Sequence, residues 1–191
     1  MKAIQKLEAE GFKERGGRLV KQLDLETGLE LTPEQATKKQ AYEINNMFVD
    51  LLADSIPKKF KEEAKMEILD ETLLQHVFQN QTDREELKEF GKKLWLPKPW
   101  ILLSTKIKAL PNRTKDHKRQ KDIADIAALT ILTNYKEYTP KIITLLKKEE
   151  VLKTLNQITP QEITKTETLL SFQNNTFKAT LNNLIQEIKK L

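Results

Sequence analysis

The chain has 191 residues, a formal net charge of +5, 38% hydrophobic and 32% charged side chains, and no cysteine. This length and composition suit one large domain or two small ones with a modest core under a charged surface. Disulfides, a thiolate nucleophile and Cys-ligated zinc are excluded, and no apolar run approaches the roughly 20 residues of a membrane-spanning helix. The first residues carry acidic side chains and no apolar signal core, so the expectation is a cytoplasmic protein without a membrane partner. The mild positive charge permits an anionic partner without requiring one.

The five glycines all lie at or before Gly91. Glycine serves the turns that sheets need, so its disappearance predicts a change of architecture near residue 97. In chain order, Ile4 and Leu7 sit at helical spacing and Gly11 stops that helix. Arg18–Leu25 alternates like a strand, and Thr27-Gly28 makes a turn towards Leu29–Leu31. Thr32-Pro33-Glu34-Gln35 has the order of an N-cap, an N1 proline and a capping-box partner, predicting a short helix to about Ala41. Ile44–Ala53 is the strongest predicted strand, rich in large apolar residues and carrying one charge, Asp50. A short strand near Met66–Leu69, a helix over Glu71–Gln79, a polar loop over Gln79–Glu86 and a last strand over Phe90–Leu96 come next. Pro97 and Pro99 end that strand, since proline cannot donate to a ladder.

From Trp100 the pattern is helical. Ile101, Leu102, Thr105 and Ala109 are expected on one broad face, and Ile123, Ile126, Ala127 and Ile131 on another. Thr139-Pro140 and Thr159-Pro160-Gln161-Glu162 are helix starts, the second a full capping box. Phe177, Leu181, Leu184, Ile185, Ile188 and Leu191 form an apolar stripe. The expected fold class is α+β: a partial mixed sheet over residues 1–97, then an all-helical region over 98–191.

Several positions stand out for chemistry. Asp50 is a carboxylate inside an apolar strand, costly unless paired, hydrogen-bonded or bound to a metal; strand aspartates often hold magnesium beside phosphates, and an outward-facing Asp50 is the simpler alternative. Lys106 is the one charge between Pro99 and Ile107. It suits a phosphate, or it snorkels out of a buried helix. After the break at Pro111-Asn112, Arg113, Lys115, Lys118, Arg119 and Lys121 form a basic cluster, either a phosphate-holding segment or a solvated surface. No aromatic residue lies between Trp100 and Tyr135, which removes the stacking platform of single-stranded nucleic-acid binders. Asp122 and Asp125 share a helical face. They either hold a metal or neighbouring cations, or pair with Lys118 and Lys121 in the weaker i,i+4 orientation. The two histidines, His76 and His117, have no partners at metal-ligand spacing.

FVDLL, a spacer of about forty residues, and then WLPKPWILLSTKIKALPNRTKDHKRQKDIADI together resemble the nucleotidyltransferase-fold family, in its abortive-infection toxin branch and archaeal relatives. The resemblance covers roughly residues 1–135 and is sharpest over 96–126. It places Asp50 as a strand aspartate and metal ligand, Lys106 as the helix lysine, Arg113 as the following arginine, and Lys121-Asp122-Ile123-Ala124-Asp125 as the Lys-Asp-x-x-Asp helix. It implies Mg2+ and a nucleoside triphosphate bound near Lys106 and Lys121, with Lys106, Arg113, Asp122 and Asp125 as catalytic residues in metal-assisted nucleotidyl transfer to an acceptor. The chain departs from that family at one place. No Asp-x-Asp pair precedes Asp50, Asp24 stands alone, and Gly16-Gly17 lacks the spacing of the family's opening motif. The expectation is a truncated, split or degenerate metal site, inactive as this chain alone. Lys106, Arg113 and Asp122 are expected to converge near the Asp50 strand, with Asp122 holding a cation rather than a metal. The alternative is a non-catalytic interaction module that binds RNA or a protein through the basic segment 106–121.

Overall fold

A computed structural model describes residues 2–15, 18–49, 51–53, 68–87, 94–173 and 175–191. The protein is α+β, and it divides into two compact units, 1–72 and 73–191.

In the first unit, helix α1 (Lys2–Ala9) leads through Gly11, at φ +88°, into strands β1 (Lys13–Arg15) and β2 (Arg18–Asp24). The positive φ explains the glycine: a Cβ there would also meet the Glu30 carboxylate. β2 pairs antiparallel with β1 and with β3 (Ile44–Val49), and Leu19 and Val20 on β2 are buried, as is Phe12. The predicted turn is present, with Gly28 at φ +70° and the Asp24 carboxylate accepting from the amides of Glu26 and Thr27. The predicted capping box at Thr32 opens α2 (Pro33–Thr37). That helix stops short of Ala41 because it buries no side chain, and tertiary packing supplies most helical stability. A 3-10 turn at Ala41–Glu43 leads into β3.

The long strand expected over 44–53 is two strands. β3 joins the antiparallel sheet, whereas β4 (Leu51–Ala53) pairs in parallel with β5 (Ile68–Asp70). An apolar run carries no mark of where its hydrogen-bonding partner changes. Asp50 lies outside the described residues.

The second unit opens with a short helix α3 (Leu74–Gln79), a 3-10 turn at Gln81–Asp83, and strand β6 (Arg84–Leu87) where a polar loop was expected. β6 has no apolar alternation; it forms a two-stranded hairpin with β7 (Leu94–Pro97), on which Trp95 and Leu96 are exposed as well. The Arg84 guanidinium lies 4.5 Å from the Trp95 ring centroid, a cation–π contact. The Lys98 amide donates to the Asp83 carbonyl and the Lys98 ammonium pairs with Glu85 at 2.7 Å, tying the hairpin to the first of the long helices.

Six helices make the rest: α4 (Pro99–Ala109), α5 (Asp116–Leu132), α6 (Tyr135–Leu145), α7 (Lys148–Asn156), α8 (Pro160–Leu169) and α9 (Thr176–Lys190). α4 packs on α5, α6 and α7, and α9 packs on α5, α6, α7 and α8. The core lies between them, with Leu103, Ile107, Ile123, Ile126, Ile142, Phe177 and Leu184 each at most 1% exposed. On α4 the buried residues are Ile101, Leu103, Ser104 and Ile107; of the expected face only Ile101 is among them, and Leu102, Thr105 and Ala109 are half-buried. A helix packed on three neighbours buries several faces, so periodicity alone misplaces its orientation. On α5 the expected Ile123, Ile126 and Ala127 are buried, and Ile131 is half-buried against the core. α6 begins at Tyr135, placing Thr139-Pro140 inside it rather than at its start; the Thr139 hydroxyl donates to the Tyr135 carbonyl at 2.8 Å. The capping box at Thr159 opens α8, and the α9 stripe is buried from Phe177 to Ile188, with Leu191 left exposed.

Glu167 fastens the α8–α9 connection. Its carbonyl accepts from the Phe172 amide at 2.9 Å, and the Ser171 amide reaches the Thr168 carbonyl at 3.2 Å, with Ser171 at φ +54°. This is a Schellman ending built on serine in a region without glycine. The Glu167 carboxylate accepts from the amides of Asn175, Phe177 and Lys178 at the start of α9, where the helix dipole favours a negative charge. Among the described residues no helix is long and apolar enough to cross a membrane.

Candidate functional site: the corner between two helices

α4 ends in a 3-10 turn at Leu110–Asn112, where Pro111 withholds an amide and the chain reverses. α5 then runs back along α4. The reversal sets the last turn of α4, with Lys106, against the second and third turns of α5, with Asp122 and Asp125, and Arg113 sits on the bend.

Asp122 is 3% exposed. A carboxylate removed from water is costly unless charged donors replace the solvent. Here the Lys106 ammonium donates to Oδ1 at 3.0 Å and the Arg113 Nε–H donates to Oδ2. Lys106 also lies 2.6 Å from Oδ2 of Asp125. The four groups form an alternating chain, Arg113–Asp122–Lys106–Asp125. Burial alone would pull the Lys106 pKa down, but the hydrogen bonds and charges of Asp125 and Asp122 outweigh it and hold the ammonium above its ordinary value. Lys106 is therefore a fixed cation at neutral pH, not a base or an amine nucleophile.

Lys106, Arg113, Asp122 and Asp125 thus come together within one unit. The i,i+4 pairs of Lys118 with Asp122 and Lys121 with Asp125 are not among the ion pairs of the described residues. Lys121 is exposed and stands outside the cluster, as do Lys115, His117 and Lys118.

Arg119 turns inward. Its Nε–H donates to Glu162 at 2.6 Å and its terminal nitrogens donate to the carbonyls of Leu110 and Gln157. Gln120 adds bonds to the Glu162 carbonyl and the Thr166 hydroxyl. Burial would raise the Glu162 pKa, but Arg119 and the Thr159 amide lower it below the usual carboxylate range. This staple between α5 and α8 is invisible in the sequence, where Arg119 is one basic residue among five. The only local signal is Glu162 itself, already occupied in its capping box.

Magnesium draws its ligands from carboxylate oxygens with open lone pairs. Both Asp122 oxygens already accept from cations, and Asp125 accepts from Lys106. Asp122 therefore fits the holding of cations, not the ligation of magnesium, whereas Asp125 is engaged through Oδ2. No group of three or more His, Cys, Asp or Glu side chains stands at metal-holding distance among the described residues.

Compared with protein-family models, curated proteins and solved structures, the chain matches none.

Proposed function

We propose that the α4–α5 corner binds phosphate, and that the protein is nucleotidyltransferase-like, taking the phosphates of a nucleoside triphosphate on Lys106 and Arg113 with Lys121 at the exposed edge. One observation carries this reading: a buried carboxylate, Asp122, holds two cations side by side, Lys106 from α4 and Arg113 from the bend. Buried ion pairs add little stability compared with apolar packing, so the cluster is a poor device for stability alone. A pair of cations held in place by Asp122 suits an incoming oxyanion, because both stay aimed at it when it binds. Cytoplasmic residence, where nucleoside triphosphates are abundant, belongs to the same proposal.

Magnesium-assisted transfer needs carboxylates free for the ion; Asp122 is engaged through both oxygens and Asp125 through one. The expected behaviour of this chain alone is nucleotide binding with little or no transfer. Titration with ATP, with and without magnesium, tests the first half. Lys106→Ala or Arg113→Ala should each weaken binding about tenfold, and unchanged affinity in both variants would refute it. Robust incorporation of labelled nucleotide, lost in Asp50→Asn, would refute the second half.

A second reading is a non-catalytic module that binds RNA phosphates. It is favoured by Lys115, Lys118 and Lys121, which are exposed and form no ion pair among the described residues. In that case affinity for a single-stranded RNA falls steeply with salt, and the Lys115, Lys118 and Lys121 alanine variants lose more than Lys106→Ala does.

A further inference from the structure

The two carboxylates of the corner are not equivalent. Asp122 has a side chain 4% exposed and holds both Lys106 and Arg113; the Asp125 side chain is 38% exposed and holds Lys106 alone. Stripping cations from a buried carboxylate leaves an unpaired charge away from water, whereas a half-exposed one rehydrates on release. The corner is also electrically neutral, with two cations set against two carboxylates.

We infer that Asp125 is a built-in competitor for the phosphate: it occupies Lys106 as a phosphate oxygen would and is displaced when a polyphosphate binds. The inference rests on the phosphate-binding reading of the corner. An ammonium has three donors; in the corner one goes to Asp122 and one to Asp125, so a single phosphate oxygen takes the third and a second oxygen must displace Asp125. Release of Asp125 hands its donor to the ligand, while the bond to Asp122 persists and keeps the lysine aimed. The freed carboxylate then stands beside the bound phosphate and repels it. A monophosphate gains little from this exchange. A di- or triphosphate carries more negative charge towards Lys106 and Arg113 and wins it. Asp125 thereby sets a charge threshold, selecting nucleoside di- and triphosphates over monophosphates.

The test is calorimetric titration of the full chain with inorganic phosphate and inorganic tripolyphosphate, comparing wild type, Asp125→Asn, Asp125→Ser, Lys106→Ala and the Asp125→Asn/Lys106→Ala double variant. Circular dichroism checks that each is folded, and the serine variant stands in if the asparagine one is not. Loss of the competitor should tighten tripolyphosphate binding about tenfold, narrow the preference over monophosphate, and have no effect once Lys106 is gone. Equal or weaker binding by both Asp125 variants, with wild-type binding still dependent on Lys106, overturns the competitor role alone. So does a gain that survives in the double variant, since it would reflect net charge only. Absence of phosphate binding in every protein overturns the phosphate-binding reading as well.

Discussion

Asp24 and Asp122 are both nearly withdrawn from water, and each is held by what surrounds it. The Asp24 carboxylate lies 2.5 Å from the Lys39 ammonium and accepts from the Thr27 amide at 2.9 Å. These contacts, Lys39 first, hold its pKa well below the usual carboxylate range. A depressed pKa stabilises the fold fully above the unfolded value of about 3.9 and less as pH falls through and below it. Asp24→Asn should therefore be less stable than wild type at pH 7, with the difference shrinking below about pH 4. Urea unfolding at both pH values checks this, and a pH-independent difference would refute it. Asp122 answers to a different test. Removing it leaves Arg113 without its counter-charge and Lys106 with Asp125 alone, so Asp122→Ala should destabilise by about 1–3 kcal/mol, the range for a lost partner when the cations keep some access to water. A loss of only tenths would mark an ordinary exposed pair. This corner was legible in the sequence because the Pro111-Asn112 break forces a reversal and because the local lysine–aspartate spacing is poorly oriented for pairing. The Arg119–Glu162 staple was not legible, since its partners are 43 residues apart and neither carries a mark of the other.

At the scale of elements, full capping boxes marked helix starts, the bare Thr139-Pro140 pair did not, and packing orientation was read poorly. The boxes at Thr32 and Thr159 open helices as their spacing requires, because a cap is a local hydrogen-bond problem. The buried face of α4 and the division of 44–53 into β3 and β4 depend on which partners lie alongside, which residue order does not state. The α9 stripe is the exception, for it is apolar on one side only. Leu184 is fully buried against the core, so Leu184→Ala should cost about 2–5 kcal/mol by lost transfer energy and the cavity left behind. Chemical denaturation measures it, and a change below about 0.5 kcal/mol would mean that the helix contributes no core.

Over the whole chain, the loss of glycine pointed to residue 97, where β7 ends and the long helices begin; the compact units divide earlier, between Thr72 and Leu73. The β6–β7 hairpin joins the helices through the bonds of Lys98 to Asp83 and Glu85, contacts between polar residues that composition does not reveal. Both tryptophans, Trp95 and Trp100, belong to the second unit, so indole emission reports on that unit. Leu184→Ala should lower the denaturation midpoint seen by tryptophan emission, while Asp24→Asn should leave it in place and change the amide-exchange protection of β2. A tryptophan midpoint that moves with Asp24→Asn would show that the two units unfold as one.

Glu167 carries a consequence for the order in which the chain assembles. Its bonds reach only as far as Lys178, so the α8–α9 turn closes a short loop at small entropic cost. The Arg119–Glu162 staple and the packing of α9 on α5 and α6 must wait for far longer closures. The α8–α9 pair should thus be the nucleus on which the bundle condenses, and Glu167→Gln should slow refolding more than it speeds unfolding, with a φ-value above about 0.5 in stopped-flow chevrons. A φ-value near zero would place the nucleus elsewhere, with the turn a late lock on a bundle already formed.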